Sequence, residues 1–332
     1  MNTIRFGVLG TAKIARTQVI PAMQQSHLCE VAAIGSRTAD SAQQTADELG
    51  IPASYGSYEA LLEAPDIDAV YIPLPNHLHV DWTIRALMAG KHVLCEKPIG
   101  LDTDEVNRLI DATARYPDLK VMEAFMYRHH PQWVEAKRLV DAGEIGELIT
   151  VQSFFSYYND NPDNIRNKAE IGGGGLMDIG CYSVSLSRFL FDAEPIRVCG
   201  FADFDPQFGT DRVFSGMMDF SGRVATFTCS TQMTKYQRVN ILGTRGRIEI
   251  LIPFNAPAGA PTQIIHQRDG HEEPVRTITF GVCDQYTIQG DLFAKSILHD
   301  TPVPTPLTDA WANMHAMEVL MVSAKKQEWV IC

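Results

Sequence analysis

The chain has no Cys-x-x-Cys pair, no apolar run long enough to cross a bilayer and no excess of positive charge. Each absence removes a class of protein. Seven cysteines, scattered singly and odd in number, suit neither a disulfide framework nor a zinc ribbon; they point to reduced thiols in a cytosolic protein. The 28 Lys and Arg stand against 40 Asp and Glu, a formal net charge of -12. Such a surface repels phosphate backbones and anionic lipid, so neither nucleic acid nor membrane is expected as a partner. The opening Met1-Asn2-Thr3-Ile4-Arg5-Phe6-Gly7 runs into an apparent strand and lacks the charged start and apolar stretch of a signal peptide. A cytoplasmic location is the expectation. No repeat, low-complexity tract or flexible linker interrupts the chain. What remains is an ordinary globular composition, 45% hydrophobic and 20% charged over 332 residues, a length that favours two domains.

The first third alternates strand and helix patterns. Apolar runs at Ile4–Leu9, Val31–Ile34, Ala69–Ile72, His92–Cys95 and Val121–Ala124 predict buried strands. Between them, Ile14–Gln25, Ala39–Leu49, Leu78–Ala89 and Asp102–Thr113 carry helical spacing, with Gly50-Ile51-Pro52 and Gly90 as stops. Strands joined by crossover helices imply a parallel sheet covered on both faces. The pattern changes near residue 125. A helix at Gln132–Ala142 and a strand at Ile149–Phe155 are followed by candidate strands at Arg197–Phe201, Val213–Asp219, Val224–Cys229, Val239–Leu242 and Arg247–Ile252. Turn signals at Ser221-Gly222 and Gly243-Thr244 leave no room for helices, so this half reads as α+β with a mostly antiparallel sheet. The tail, Ala310–Glu328, predicts a long helix. The fold class is therefore α/β: a Rossmann-type domain over 1–125 and an α+β domain over 126–332.

The first strand runs into Gly10-Thr11-Ala12-Lys13-Ile14-Ala15. This is the spacing of the dinucleotide fingerprint with alanine at the second and third glycine positions. Gly10 permits the tight turn, Ala12 is the smallest substitute where backbone meets phosphate, and the N–H groups of the following helix aim at a pyrophosphate. So degenerate a match could also be a plain strand-to-helix turn; its place after the first strand favours the phosphate reading. The second strand ends in Gly35-Ser36-Arg37-Thr38. An NAD-selective site needs a carboxylate there for the ribose 2′-hydroxyl. A hydroxyl and a guanidinium, Ser36 and Arg37, stand in its place and suit a phosphate monoester. NADP(H) is the expected cofactor, against the plainer reading of Arg37 as a solvated loop residue.

The segment Ala89-Gly90-Lys91-His92-Val93-Leu94-Cys95-Glu96-Lys97-Pro98, with Pro75-Asn76-His77-Leu78-His79 upstream and Gly172-Gly173-Gly174-Gly175-Leu176-Met177-Asp178-Ile179-Gly180-Cys181-Tyr182 downstream, resembles the glucose–fructose oxidoreductase / inositol dehydrogenase / rhizopine-catabolism family. The resemblance covers essentially the whole chain. It implies a Rossmann domain followed by an α+β domain whose open sheet forms a dimer face, in a homodimer or a tetramer. It also implies that Lys97 sits beside the nicotinamide and the substrate, completed by Asp178 and a His or Tyr. Here that last residue is Tyr182. The departure from His resembles the branch of dimeric dihydrodiol dehydrogenase and NADP-dependent sugar dehydrogenases.

Reduction of a carbonyl leaves negative charge on oxygen and requires a proton, which a phenol beside an ammonium supplies. Lys97 is expected to orient the substrate oxygen and Tyr182 to act as general acid or base; the reverse assignment stays open. Asp178, four residues before Tyr182, shares its face if Asp178–Leu190 is helical, and would bind a substrate hydroxyl or fix Lys97. Taken singly, Lys97 reads as a solvated lysine, Tyr182 as a packing residue and Asp178 as a helix cap. Leu74, Pro75, Asn76 and His79 follow the third clear strand, where a dinucleotide lies, and Glu96 is expected on the nicotinamide ribose. Arg128, after the last Rossmann strand, is a candidate for a substrate or cofactor oxygen. His77 with His79, and His129 with His130, have the spacing of metal ligands, but no cysteine or carboxylate cluster joins them and no metal is expected. Gly172–Gly175 lacks the Lys-Ser/Thr of a nucleotide-hydrolase loop and reads as a flexible approach to the substrate. The expected substrate is a sugar or diol. The alternatives are a non-catalytic NADP-binding regulator of the same fold and a cofactor-retaining glycosidase.

Overall fold

The structure is a computed structural model and describes residues 3–268 and 274–332. Among the described residues the strands form a six-stranded and a nine-stranded sheet, and the chain divides into two compact units. The first holds Met1–Met126 together with Gln285–Trp311; the second holds Tyr127–Asp284 and Ala312–Cys332. The sequence division at 125/126 assigned Gln285–Trp311 to the second domain. The helix Gln285–Leu298 instead packs on the first unit: Phe293 meets Phe6 with ring centroids 6.2 Å apart, and the Thr287 hydroxyl donates to Ala22 O at 2.8 Å. Beyond it, Thr305 Oγ1 donates to Glu123 O at 2.6 Å. Contacts at such separation along the chain leave no local trace.

In the first unit β1 (Ile4–Leu9), β2 (Cys29–Gly35), β3 (Ala53–Tyr55), β4 (Ala69–Ile72), β5 (His92–Glu96) and β6 (Val121–Ala124) pair in the order β3-β2-β1-β4-β5-β6, every pair parallel. β4 and β6 are buried throughout, as strands covered on both faces must be. The direction of strand addition reverses between β1 and β4, so a crevice opens outside their C-terminal ends, where open α/β sheets bind ligands. The helix expected at Ile14–Gln25 is present but not uniform. Ala15–Val19 widens into a π-helical turn before the short α1 (Ile20–Met23), because Pro21 has no N–H to continue the ladder. α2 (Ala39–Leu49) is capped by Thr38, whose hydroxyl accepts from Ser41 N, and stops at Gly50. α3 (Tyr58–Leu62) and α4 (His79–Met88) precede α5 (Thr103–Thr113). Asp102 caps α5 by accepting from Glu105 N at 2.8 Å, and the Glu105 side chain accepts from Leu101 N, just before the cap, at 2.8 Å.

The second unit starts with α6 (Pro131–Asp141) and β7 (Leu148–Tyr158). Then come α7 (Cys181–Phe191), β8 (Arg197–Phe204), β9 (Asp211–Phe220), β10 (Arg223–Ser230), β11 (Gln232–Gly243), β12 (Gly246–Ile250), β13 (Thr262–Arg268), β14 (Arg276–Phe280) and β15 (Val330–Ile331). The sheet order is β14-β13-β12-β11-β7-β10-β9-β8-β15, antiparallel except where β7 meets β10. β10 alternates, with Ala225, Phe227 and Cys229 buried. α7, built from apolar residues and serines, is buried almost all round against β7, where Ser153 donates to Ser183 at 2.9 Å. The last helix, Leu307–Lys326, passes so close to β8 that a Cβ on Gly200 would lie 2.4 Å from Leu320 O. Among the described residues no helix is long and apolar enough to cross a membrane. The seven cysteines form no disulfide.

Candidate active site

The first unit carries the cofactor candidates on one edge of its sheet, because parallel neighbours end on the same side. Gly10 leaves β1 with φ +107°, a conformation open to glycine, and donates its N–H to Gly35 O at 2.8 Å. A Cβ there would sit 3.0 Å from Leu74 Cδ2, so the phosphate loop touches the β4 loop at the crevice. Thr11, Ala12 and Ile14 follow, half-buried, with the Thr11 hydroxyl 3.5 Å from that of Ser41. Ser36 is buried at the end of β2 and donates its N–H to Tyr55 O. Arg37 beside it is exposed, and among the described residues no carboxylate pairs with it. Its charge acts on Tyr58, whose hydroxyl is 3.7 Å from where a Gly10 Cβ would be. A dinucleotide bearing a 2′-phosphate fits these residues: a loop that admits no side chain at its first position, and an uncommitted guanidinium at the end of β2.

The β5 loop is anchored on both sides of Lys97. Before it, Glu96 accepts from the buried Tyr71 hydroxyl at 2.7 Å. After it, Ile99 N donates to the buried Glu123 Oε1 at 2.9 Å. Lys97 and Glu96 are half-buried, as are Pro75 and Asn76. The Lys97-Pro98 peptide is cis. His79 was expected to touch the cofactor. It is 1% exposed instead, and its ring lies between Pro98 O at 2.8 Å and Leu74 O at 2.7 Å. Both ring nitrogens thus face backbone carbonyls, which also takes His79 out of any metal-ligand pair with His77.

The second unit gathers Asp178 and Tyr182. Leu176–Gly180 forms a π-helical turn and α7 starts at Cys181, so the helix expected from Asp178 is wider at its first turn. Both carboxylate oxygens of Asp178 are held: Arg166 Nε lies 2.8 Å from Oδ1, and the Tyr157 hydroxyl donates to Oδ2 at 2.5 Å. Burial and the Asp178 charge push the Tyr157 phenol well above its usual range; the same carboxylate holds the Arg166 guanidinium firmly protonated. Tyr182 is 5% exposed, its ring 5.3 Å from Phe254, 5.6 Å from Tyr127 and 5.7 Å from Phe155. Its position is fixed by aromatic packing, and its field reaches Arg166. Arg128 turns onto α7, with Nε donating to Ser185 Oγ at 3.0 Å and Nη2 to Ser185 O at 3.2 Å.

The glycine run is no flexible approach. Gly173 N donates to Lys168 O and Gly174 N to Arg166 O. A Cβ on Gly173 would lie 2.6 Å from Arg166 O, and one on Gly174 2.0 Å from Asp211 Oδ1. Asp211, 3% exposed, accepts from Leu176 N at 2.6 Å, and burial pushes its carboxyl up to about 7. These glycines stand where there is no room for a side chain, and they seat Arg166 beside Asp178. Sequence reasoning missed Tyr71, Glu123, Arg166 and Asp211. Each acts through a partner distant in the chain; for Arg166 and Asp211 the glycine run that packs against them is the one signal the sequence offered.

The first unit is by its strand order and phosphate loop a dinucleotide-binding domain, here joined to an open-sheet domain carrying an acid–phenol pair. Residues 4–125 match the oxidoreductase family with NAD-binding Rossmann fold, and residues 133–249 match the GFO/IDH/MocA C-terminal domain. The chain belongs to this family of oxidoreductases. It is 43% identical over 332 residues, 99% of each chain, to the uncharacterized oxidoreductase ORF334 of Rhizobium meliloti. It is 43% identical over 296 residues, 88% of each chain, to D-xylose 1-dehydrogenase (NADP(+)) 2 of Haloferax volcanii. Among solved structures it is similar to KijD10, a 3-ketoreductase from Actinomadura kijaniata in complex with NADP and TDP-benzene, with a TM-score of 0.89, 31% identity, and 97% of this chain and 98% of that one covered.

Proposed function

We propose that the protein is an NADP(H)-dependent oxidoreductase acting on the hydroxyl or carbonyl carbon of a sugar or related diol, with Lys97 and Tyr182 serving one hydride transfer. The observation that carries the reading is Arg37: an exposed guanidinium without a carboxylate partner among the described residues, at the strand end where an NAD-selective site needs an acid. Gly10, Thr11, Ala12 and Ile14 receive the pyrophosphate, Ser36 and Arg37 the 2′-phosphate, and Leu74, Pro75, Asn76 and Glu96 border the nicotinamide ribose. When bound, the nicotinamide supplies or accepts the hydride.

Lys97 orients the substrate oxygen and stabilises the negative charge that grows on it. Tyr182 gives that oxygen a proton in reduction and takes it in oxidation. Asp178, both of whose oxygens are engaged by Arg166 and Tyr157, holds Arg166 toward the substrate. The likeness to a D-xylose dehydrogenase and a 3-ketoreductase supports a sugar over an unrelated alcohol. The enzyme works in the cytoplasm, as a homodimer or a tetramer; Phe201, Met217 and Tyr236, exposed on the nine-stranded sheet, support the assembly.

The test is a panel of pyranoses, keto-sugars and trans-dihydrodiols, followed at the nicotinamide absorbance with NADP(H) and NAD(H). Turnover of one class with NADP(H), lost in Tyr182→Phe, is expected. That variant keeps the ring that Phe254 and Tyr127 pack on. A tenfold preference for NAD(H), or full turnover by Tyr182→Phe, defeats the respective half of the reading.

A further inference from the structure

His79 opens α4, between the two loops expected to face the dinucleotide. Its ring reaches Leu74 O, two residues before Asn76, and Pro98 O, one residue after Lys97. A carbonyl oxygen only accepts and a neutral imidazole has a single N–H, so one contact is an N–H···O hydrogen bond chosen by the tautomer, and the other is a close approach of the ring to the second loop. Burial pushes the imidazole down to about 4, and Lys97 and His77 nearby add to that; the two carbonyls pull the other way.

The root of Lys97 is then fixed at successive points: Tyr71 on Glu96, His79 on Pro98 and Glu123 on Ile99. His79 also meets the β4 loop, at Leu74 O. A lysine carries its ammonium on four flexible carbons, so the placement of the charge depends on how firmly the main chain beneath it is held. We propose that His79 is a positioning residue: its imidazole ties the β4 loop to the β5 loop and sets where Asn76 and Lys97 stand toward the bound dinucleotide. The consequence rests on the catalytic reading of Lys97; the tie itself does not.

The wild-type protein tests the tie directly. The His79 ring is expected to give a nitrogen-bound proton signal that exchanges with water over seconds or longer; exchange within milliseconds overturns the proposal. Crystals of His79→Asn with NADP+ should show the Lys97 and Asn76 main chains shifted from their wild-type places, and unmoved main chains overturn it. In kinetics with NADP+ and C1-deuterated D-xylose, His79→Asn should hold NADPH within about threefold of wild type. Its hydride step should slow about tenfold or more, with a larger isotope effect on kcat, and His79→Gln should fall between. A folded His79→Asn with wild-type hydride transfer refutes the role. Lys97→Met with unchanged hydride transfer removes Lys97 from the chemistry instead, while the ring-proton result still decides the tie.

Discussion

Tyr157 donates its hydroxyl to Asp178 Oδ2 at 2.5 Å, from a strand to the turn that opens the helix of Tyr182. A hydrogen bond to a charged acceptor is worth more than a neutral one, and this phenol is buried. Tyr157→Phe should therefore loosen Asp178 and Arg166, lowering kcat/KM by roughly tenfold with little change in cofactor affinity. Asp178→Asn should cost more, because Arg166 then loses its counter-ion. Steady-state kinetics with parallel NADPH titrations check both. If Tyr157→Phe is kinetically silent, the network is only structural.

Arg37 decides the cofactor. Arg37→Asp places a carboxylate where a ribose 2′-hydroxyl would be met and repels a 2′-phosphate. NADPH affinity, followed by nicotinamide fluorescence, should fall by about tenfold or more, while NADH affinity holds or rises. Equal losses for both cofactors would mean that Arg37 supports the loop and does not read the phosphate.

The elements legible in the sequence were those whose signal is local. β1, β4 and β6 read as apolar runs because both faces of a parallel sheet are covered, and α2 read from its formers and Gly50. β3 and α3 escaped because Ala53-Ser54-Tyr55 is a half-buried edge strand and Tyr58–Leu62 is barely more than a turn. The helix Gln285–Leu298 escaped because its partners, Phe6 and Ala22, lie more than two hundred residues earlier. The glycine run was visible but misread. Glycine signals either freedom or crowding, and only Asp211 and the Arg166 carbonyl, brought in by the fold, show that here it is crowding. For the site, residue types and motif order pointed to Lys97, Asp178 and Tyr182, while the residues that hold them in place needed the packing.

Asp211 gives the fold a pH dependence of definite sign. Its carboxyl rises from the ordinary 3.8 to about 7 on burial, so between those values the folded chain keeps a proton that the unfolded chain has lost. The stability this contributes is full below 3.8 and is lost as pH rises through 7, roughly 4 kcal/mol at most. Thermal melts of the wild type should fall between pH 5 and pH 8, and Asp211→Asn, which still offers an amide oxygen to Leu176 N, should flatten that slope. Parallel slopes for the two proteins would place the ionisation elsewhere.

Gly174 is where the same carboxylate leaves no room. The residue has φ +116°, and an added methyl would lie 2.0 Å from Asp211 Oδ1, itself anchored on Leu176 N. Gly174→Ala must therefore either strain the backbone or push Asp211 off the start of the turn that carries Asp178. An L side chain in this region costs about 1–3 kcal/mol before the clash is counted, so a melting temperature several degrees lower is expected. Activity should fall further than stability, because the displaced turn carries Asp178 and leads into Tyr182. The double variant Gly174→Ala with Asp211→Ala separates the two causes: removing the carboxylate relieves the clash but not the backbone strain. A loss of melting temperature smaller than the sum of the two single losses is the expected result. Strict additivity of the two losses would show that the methyl and the carboxylate never meet.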